Sequence, residues 1–399
     1  MTQKHQHHWV AQGIAVLAGA ATTAQSRVNG ELATRVGNGW EAALVSFSTG
    51  LVALTMVAAI TPNVRTGLRR VLSAVRLCEL QWWHVIGGSI GACFVATQSI
   101  VVPLMGVAVF TVATVGATTA ASILVDRSGI GPQGHIHPSS HRIVAGFIAV
   151  IAIAVSVSDR FGSATFAFWG VMASLVVGAG VAFQHALNGP VSRDAQHPVT
   201  AAWWNFIVGT SLLSVLVLVQ WRAGVISFGA LPTDAWWLYL GGFFGLAFII
   251  VAAKIIHVLG SLRFALGSVT GQLIGAVLFD VLAPTAGTNL SGHLLAGVAL
   301  TAVAVVVANR KPADARFPPG YGAPPDASGA RRAQPPARAA APRLCRRSNR
   351  GAAAGRRRRV PPPGKTRSRG ACSLGCALHA RSEEHTSELQ SHHDLVCRL

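Results

Sequence analysis

Gln184-His185-Ala186-Leu187-Asn188-Gly189 restates, 159 residues further along, the pattern Gln25-Ser26-Arg27-Val28-Asn29-Gly30. The same offset carries Phe47 onto Phe206 and Gly50 onto Gly209. Downstream the offset becomes 154, mapping Trp82-Trp83 onto Trp236-Trp237, Gly87-Gly88 onto Gly241-Gly242 and Gly91 onto Gly245. It continues through Gly106 and Gly260, Phe110 and Phe264, and Asp126 and Asp280. A five-residue length difference in one connection accounts for the change of register. Solenoid repeats run roughly 20 to 50 residues, so this much longer period reads as two copies of a domain-sized unit.

Composition places the unit in a bilayer. The chain is 51% hydrophobic and 12% charged, with a mean hydropathy of +0.47, whereas soluble domains carry about 25% charged residues. The net charge of +19 would suggest nucleic acid on a soluble fold, but its distribution argues otherwise. Residues 1–310 hold 15 Lys and Arg against 8 Asp and Glu, and residues 311–399 hold 18 against 6. The basic excess belongs mainly to the tail, and no nucleic-acid partner is expected.

A spanning helix needs about 20 mainly apolar residues. Ten windows qualify: 9–27, 41–60, 82–102, 105–125, 143–158, 164–186, 199–220, 236–257, 262–282 and 293–309. The expected fold is an all-α membrane protein of about ten transmembrane helices, arranged as a first five-helix repeat (1–160) and a second (161–310). An odd number of spans per repeat inverts the second relative to the first, a recurring plan of transporters. Lys and Arg concentrate in cytoplasmic loops. With the N-terminus inside, the cytoplasmic segments hold 12 of them against 4 opposite, or 11 if Lys254 lies within a helix. Both termini are therefore expected in the cytoplasm. Trp9, Trp82, Trp83, Trp221, Trp236 and Trp237 fall at window ends, where indoles prefer the interface; Trp169, Trp203 and Trp204 fall deeper.

Residues 311–399 turn to Pro, Ala, Gly and Arg, including Arg356 to Arg359 and Pro361 to Pro363. Such a segment buries too little apolar area to fold. It has two readings: a disordered basic tail that meets anionic lipid, or a frame-shift or adapter artefact. Its last stretch, from Arg381 to Leu399, resembles a translated sequencing-library adapter.

Polar side chains inside a bilayer are costly and mark function or helix-to-helix glue. Gln25 and Asn29, four apart, share a helix face, and Gln184 and Asn188 repeat the pair; together they could offer amide donors and acceptors to a ligand. The bland alternative is that Asn-Gly ends each helix. Gln272 and Asn205 are further candidates, although their counterparts Thr118 and Ser46 are weaker. Lys254 could meet an anionic substrate or snorkel to the interface. His185 is the histidine with a pKa range suited to switching. Asp126 and Asp280 read as caps of the following turn, or as partners of Arg127, before they read as a proton relay. The histidines His5, His7 and His8, and His135, His137 and His141, lack a Cys or carboxylate frame, so no metal site is expected. The glycines of Gly87-Gly88-x-x-Gly91 and Gly241-Gly242-x-x-Gly245 read as helix-packing surfaces. No phosphate-binding, dinucleotide or hydrolase motif is present, so no cofactor, no catalytic residue and no enzyme activity is expected.

Taken together, the Gln-x3-Asn-Gly stretch, the Phe-x-x-Gly element, the Trp-Trp-x3-Gly-Gly-x2-Gly helix and Gly271-Gln272-Leu273 through Asp280 resemble the drug/metabolite transporter superfamily, in particular its YdcZ-like bacterial group, over about residues 10–309. The resemblance implies ten helices and secondary transport of small metabolites or drugs across the bacterial inner membrane, often outward. Ala117-Thr118-Thr119 departs from the Gly-Gln-Leu pattern in the first half. The competing reading is a non-transporting scaffold or lipid-interacting partner protein in which the same amides only join helices. The expected partners are a small-molecule substrate and the lipid bilayer, with a homodimer left open.

Overall fold

The computed structural model describes residues 2–130, 135, 139–160 and 168–310. The boundary expected near residue 161, the tail, His137 and the side chains of His5 and His7 lie outside the described residues. Among those described, none is in a strand. The helices are α1 (Thr2–Val36), α2 (Gly39–Ile60), α3 (Pro62–Arg76), α4 (Gly87–Met105), α5 (Val107–Ser128), α6 (Ser140–Val157), α7 (Phe168–Ala195), α8 (Pro198–Arg222), α9 (Gly241–Leu259), α10 (Ser261–Leu282) and α11 (Gly292–Ala308).

Among the described residues, eight helices are long and apolar enough to cross a bilayer: α2 and α4 through α10. α11 is apolar but has 17 residues. α1 has 35 residues and carries Gln12, Thr22, Thr23 and Gln25 among its alanines. Trp169 corrects one expectation. α7 begins at Phe168, so Trp169 sits in the first turn and is 81% exposed rather than deep.

Three connections are short and locally encoded. Gly37, at a positive φ, closes α1, and the next residue, Asn38, caps α2 by accepting hydrogen bonds from Trp40 N–H and Glu41 N–H. α4 and α5 are joined by Gly106 alone (φ 88°, ψ 164°), and α9 and α10 by Gly260 alone (φ 77°, ψ 158°). That backbone region is open essentially only to glycine, which explains why glycine recurs at both elbows. Each of α4 and α9 is also preceded by a short 3-10 turn at its Trp-Trp pair, Trp82–His84 and Trp236–Leu240.

Close approaches fix helix directions. Phe47 lies at Gly209 and Phe206 at Gly50, so α2 and α8 are antiparallel, and their rings meet with centroids 5.0 Å apart. Gly87 and Gly91 of α4 face Asn188 and Gln184 of α7, and Gly241 and Gly245 of α9 face Asn29 and Gln25 of α1. Both pairs are therefore antiparallel. α1 and α10 run parallel, with Gln12, Val16 and Thr23 at Gly267, Gly271 and Gly275. α5 and α7 run parallel as well, Thr114 lying at Gly178 while Ala121 and Val125 pack with Ala182 and Ala186.

Asp126 and Asp280 take partners different from those expected. Asp126 pairs with Arg142 of α6. Asp280, at the end of α10, accepts hydrogen bonds from Val107 N–H and Ala108 N–H, both at 2.8 Å, and so caps α5 rather than its own following turn. The first amides of a helix have no partner within it, and a carboxylate there also meets the positive end of the helix dipole.

Candidate functional site

Both Asn-Gly pairs lie inside helices. α1 continues through Asn29-Gly30 to Val36, and α7 continues through Asn188-Gly189 to Ala195, so helix termination does not explain them. Each amide instead packs on a glycine of the opposite half of the chain. A Cβ placed on Gly241 would overlap Asn29 Oδ1 and come 2.7 Å from Ser46 Oγ. A Cβ on Gly87 would come 2.8 Å from Asn188 Oδ1 and 3.6 Å from Asn205 Oδ1. One turn along, a Cβ on Gly245 would come 3.4 Å from Gln25 Oε1 and one on Gly91 2.9 Å from Gln184 Nε2. Four amide-on-glycine contacts thus follow the repeat seen in the sequence, each crossing from one half to the other.

These contacts form one continuous seam. From Asn29 and Gly241 it passes through Gly242 at Ser46 and Gly50, then through the Phe47–Phe206 ring pair. It continues through Gly209 against Gly88 O, and Gly88 against Asn205, to Gly87 and Asn188. Glycine is required at Gly241, Gly87 and Gly91, because a Cβ there would enter the space that the amides occupy.

The two ends of the seam differ. Asn29 is fully buried, and neither its Oδ1 nor its Nδ2 has a hydrogen-bond partner; Ser46 is 2% exposed and its Oγ is also unpartnered. Asn188 and Asn205 are half-buried. An unpaired buried polar group costs about 1–3 kcal/mol, so the Asn29 end is closed against a desolvation cost that a hydrogen-bonding solute or water would relieve.

Gln272 lies outside the seam on α10, where its Nε2 donates to Ser268 Oγ at 3.4 Å, one turn back. Its counterpart Thr118 donates to Gly178 O at 2.7 Å, joining α5 to α7. Lys254 is exposed, nine residues beyond Gly245 and on the other side of α9 from it, which fits snorkelling. His185 is half-buried on α7, one position on from Gln184.

Gln98 and Glu41 are among the buried polar residues that escaped the sequence reading. Gln98 of α4 is 1% exposed and accepts a hydrogen bond from Ser26 Oγ at 3.1 Å, while its Nε2 is unpartnered. Glu41, in the first turn of α2, is 6% exposed with Oε2 unpartnered. A polar residue inside an apolar window was the available signal for Gln98; Glu41 stands at a window edge, where burial leaves no such trace.

No group of three or more His, Cys, Asp or Glu side chains suited to a metal ion occurs among the described residues. A groove of about 460 Å³ between α10 and α11, lined by Leu273, Ile274, Val277 and Val298 among others, is apolar, and none of the seam's amides lines it.

A search of curated proteins gives no match. A family model described as "Putative inner membrane exporter, YdcZ" matches residues 10–155 and 169–307, one stretch in each half and the larger part of the chain. With its apolar spanning helices, the chain is a multi-pass membrane protein and belongs to the YdcZ family that this model describes.

Proposed function

We propose that the protein is a secondary transporter that exports small metabolites or drugs by alternating access between two inverted five-helix halves, residues 1–160 and 161–310. In this reading α1, α2 and α4 through α11 are the ten spans, and both termini lie in the cytoplasm. The helix directions support it. Antiparallel α1 with α9, α4 with α7 and α2 with α8, and parallel α1 with α10 and α5 with α7, are the relations that ten successive crossings produce.

The carrying observation is the seam with equivalent amide contacts at its two ends, one fully buried and one half-buried. A carrier needs two gates that close in turn around a midplane site. The Asn29–Ser46–Gly241 contact is the closed gate, and the Asn188–Asn205–Gly87 contact is the more open one. Gln25 and Gln184 flank the path between them. The described amides and hydroxyls of the seam offer hydrogen bonds without net charge.

The test is ligand-dependent thermal stabilisation of the purified protein across a panel of metabolites and drugs, beside a Gln184→Ala/Asn188→Ala variant. Stabilisation by one ligand class, abolished in the variant, is the expected result. Stabilisation that persists in the variant rejects the seam as the site, and a well-folded protein that answers no ligand favours a scaffold role.

A further inference from the structure

Helix α3 has no helical counterpart in the second half. The chain advances 32 positions from Gly50 to Trp82 but 27 from Gly209 to Trp236. The surplus falls where α3 stands, against the irregular segment 223–235. α3 is strongly two-faced. Val64, Gly67, Val71 and Ala74 are buried, and a Cβ on Gly67 would come 2.7 Å from Ala195 O at the end of α7 and 2.6 Å from Thr200 Oγ1 of α8. Arg65, Arg69 and Arg76 fall within about 40° of one another on the side away from Val71.

All three arginines are exposed, and among the described residues none of them makes an ion pair. α3 itself contains no acidic residue. Arg70 lies outside this stripe and donates to Gln196 Oε1. Exposed apolar residues flank α3 in the chain: Ile60 two residues before it, Leu72 on it, and Leu77 and Trp82 one and six residues after it. A basic stripe with apolar neighbours, on a helix that begins two residues after a spanning helix ends, suits the plane where headgroups meet acyl chains.

We propose that α3 is an interfacial helix that binds anionic phospholipid headgroups of the cytoplasmic leaflet through Arg65, Arg69 and Arg76. The headgroup contact stands on the geometry of α3; only the choice of leaflet rests on the orientation proposed above. A guanidinium fork matches a phosphate with two donors at once, and three along about three turns of one helix face can engage neighbouring headgroups.

The experiment melts the full chain in neutral detergent with added phosphatidylglycerol or phosphatidylcholine, beside Arg65→Gln/Arg69→Gln/Arg76→Gln. Phosphatidylglycerol is expected to raise the wild-type Tm by roughly 5 °C, and the variant to lose most of that rise while melting like wild type in phosphatidylcholine. A full rise in the variant overturns the proposal, as does the same rise produced by inorganic phosphate alone. Should the triple variant not fold, Arg69→Gln decides, with a rise cut by about a third expected and an undiminished rise overturning the proposal. The leaflet is read separately from Cys78, exposed two residues beyond α3, with the other five cysteines replaced by serine. An impermeant maleimide should label it in inside-out vesicles only. Labelling from the outer face overturns the cytoplasmic assignment and leaves the lipid result standing.

Discussion

Gly241→Ala probes the closed end of the seam directly. Its methyl would overlap Asn29 Oδ1 and come 2.7 Å from Ser46 Oγ and 3.1 Å from Asn29 Cγ. Asn29 is 0% exposed and has nowhere to retreat. Overpacking costs about 1–3 kcal/mol, and Gly241 is the first residue of α9, where alanine recovers little of the helix propensity it has in a helix interior, so the net loss is about 1–3 kcal/mol. At roughly 2–4 °C per kcal/mol, Tm should fall by about 2–12 °C. Gly245→Ala is the control. Its nearest neighbours, the Gln25 amide atoms, are at 3.4–3.8 Å, an ordinary contact, so propensity alone should hold Tm level or raise it slightly. Adding Asn29→Ala to Gly241→Ala removes the overlapping oxygen and should restore at least about 1 kcal/mol, a coupling that a double-mutant cycle measures. The assay is thermal melting of five proteins in one detergent: wild type, the two glycine variants, Asn29→Ala and the double variant. A Gly241→Ala variant as stable as wild type, or one that Asn29→Ala does not rescue, refutes the contact and with it the closed gate.

Asp280→Ala should cost about 2–4 kcal/mol in a melting experiment, because it strands Val107 N–H and Ala108 N–H without their charged acceptor; a loss under about 1 kcal/mol would show that the cap is dispensable. His197, between α7 and α8, is held below its ordinary pKa of 6.5 by burial, and its Nδ1 has no partner. The unfolded chain then binds the extra proton, so stability is full above pH 6.5 and declines as pH falls below it. His197→Gln should flatten that decline in a series of melts from pH 8 to 5, and an unchanged slope assigns the decline to other groups. Lys254→Gln, on the exposed side of α9, should leave any ligand-induced stabilisation intact, and its loss would draw Lys254 into the path.

The duplication, the apolar windows and the polar pairs were legible because each is a local or periodic signal. Asn29 and Asn188 were visible as repeated polar residues; their glycine partners were visible as well, but as generic packing stripes. What joined them was invisible. Each amide meets a glycine more than 90 residues away in the other half, and nothing in one dimension links two such stretches. Asp280 shows the same limit: its position at a helix end announced a cap, while the helix it caps starts 173 residues earlier, at Val107. The miss at α3 had another cause. A search for apolar runs passes over an arginine-rich segment, although Pro62 at a first turn and the spacing of Val64, Gly67, Val71 and Ala74 spelled an amphipathic helix. The five-residue register change, which pointed only to a longer loop, marks that helix.

The grip of Asp280 on α5 also has a mechanical side. Both carboxylate oxygens are held by successive amides, so the end of α10 and the start of α5 cannot part without breaking two charged hydrogen bonds. A tie of that kind acts as a fulcrum: relative motion of the two helices becomes rotation about it. α5 has 22 residues and extends about 33 Å from that point, so a turn of about 10° sweeps its free end through roughly 6 Å. The largest excursions then belong to the opposite side of the protein, where Asp126 is clasped by Arg142.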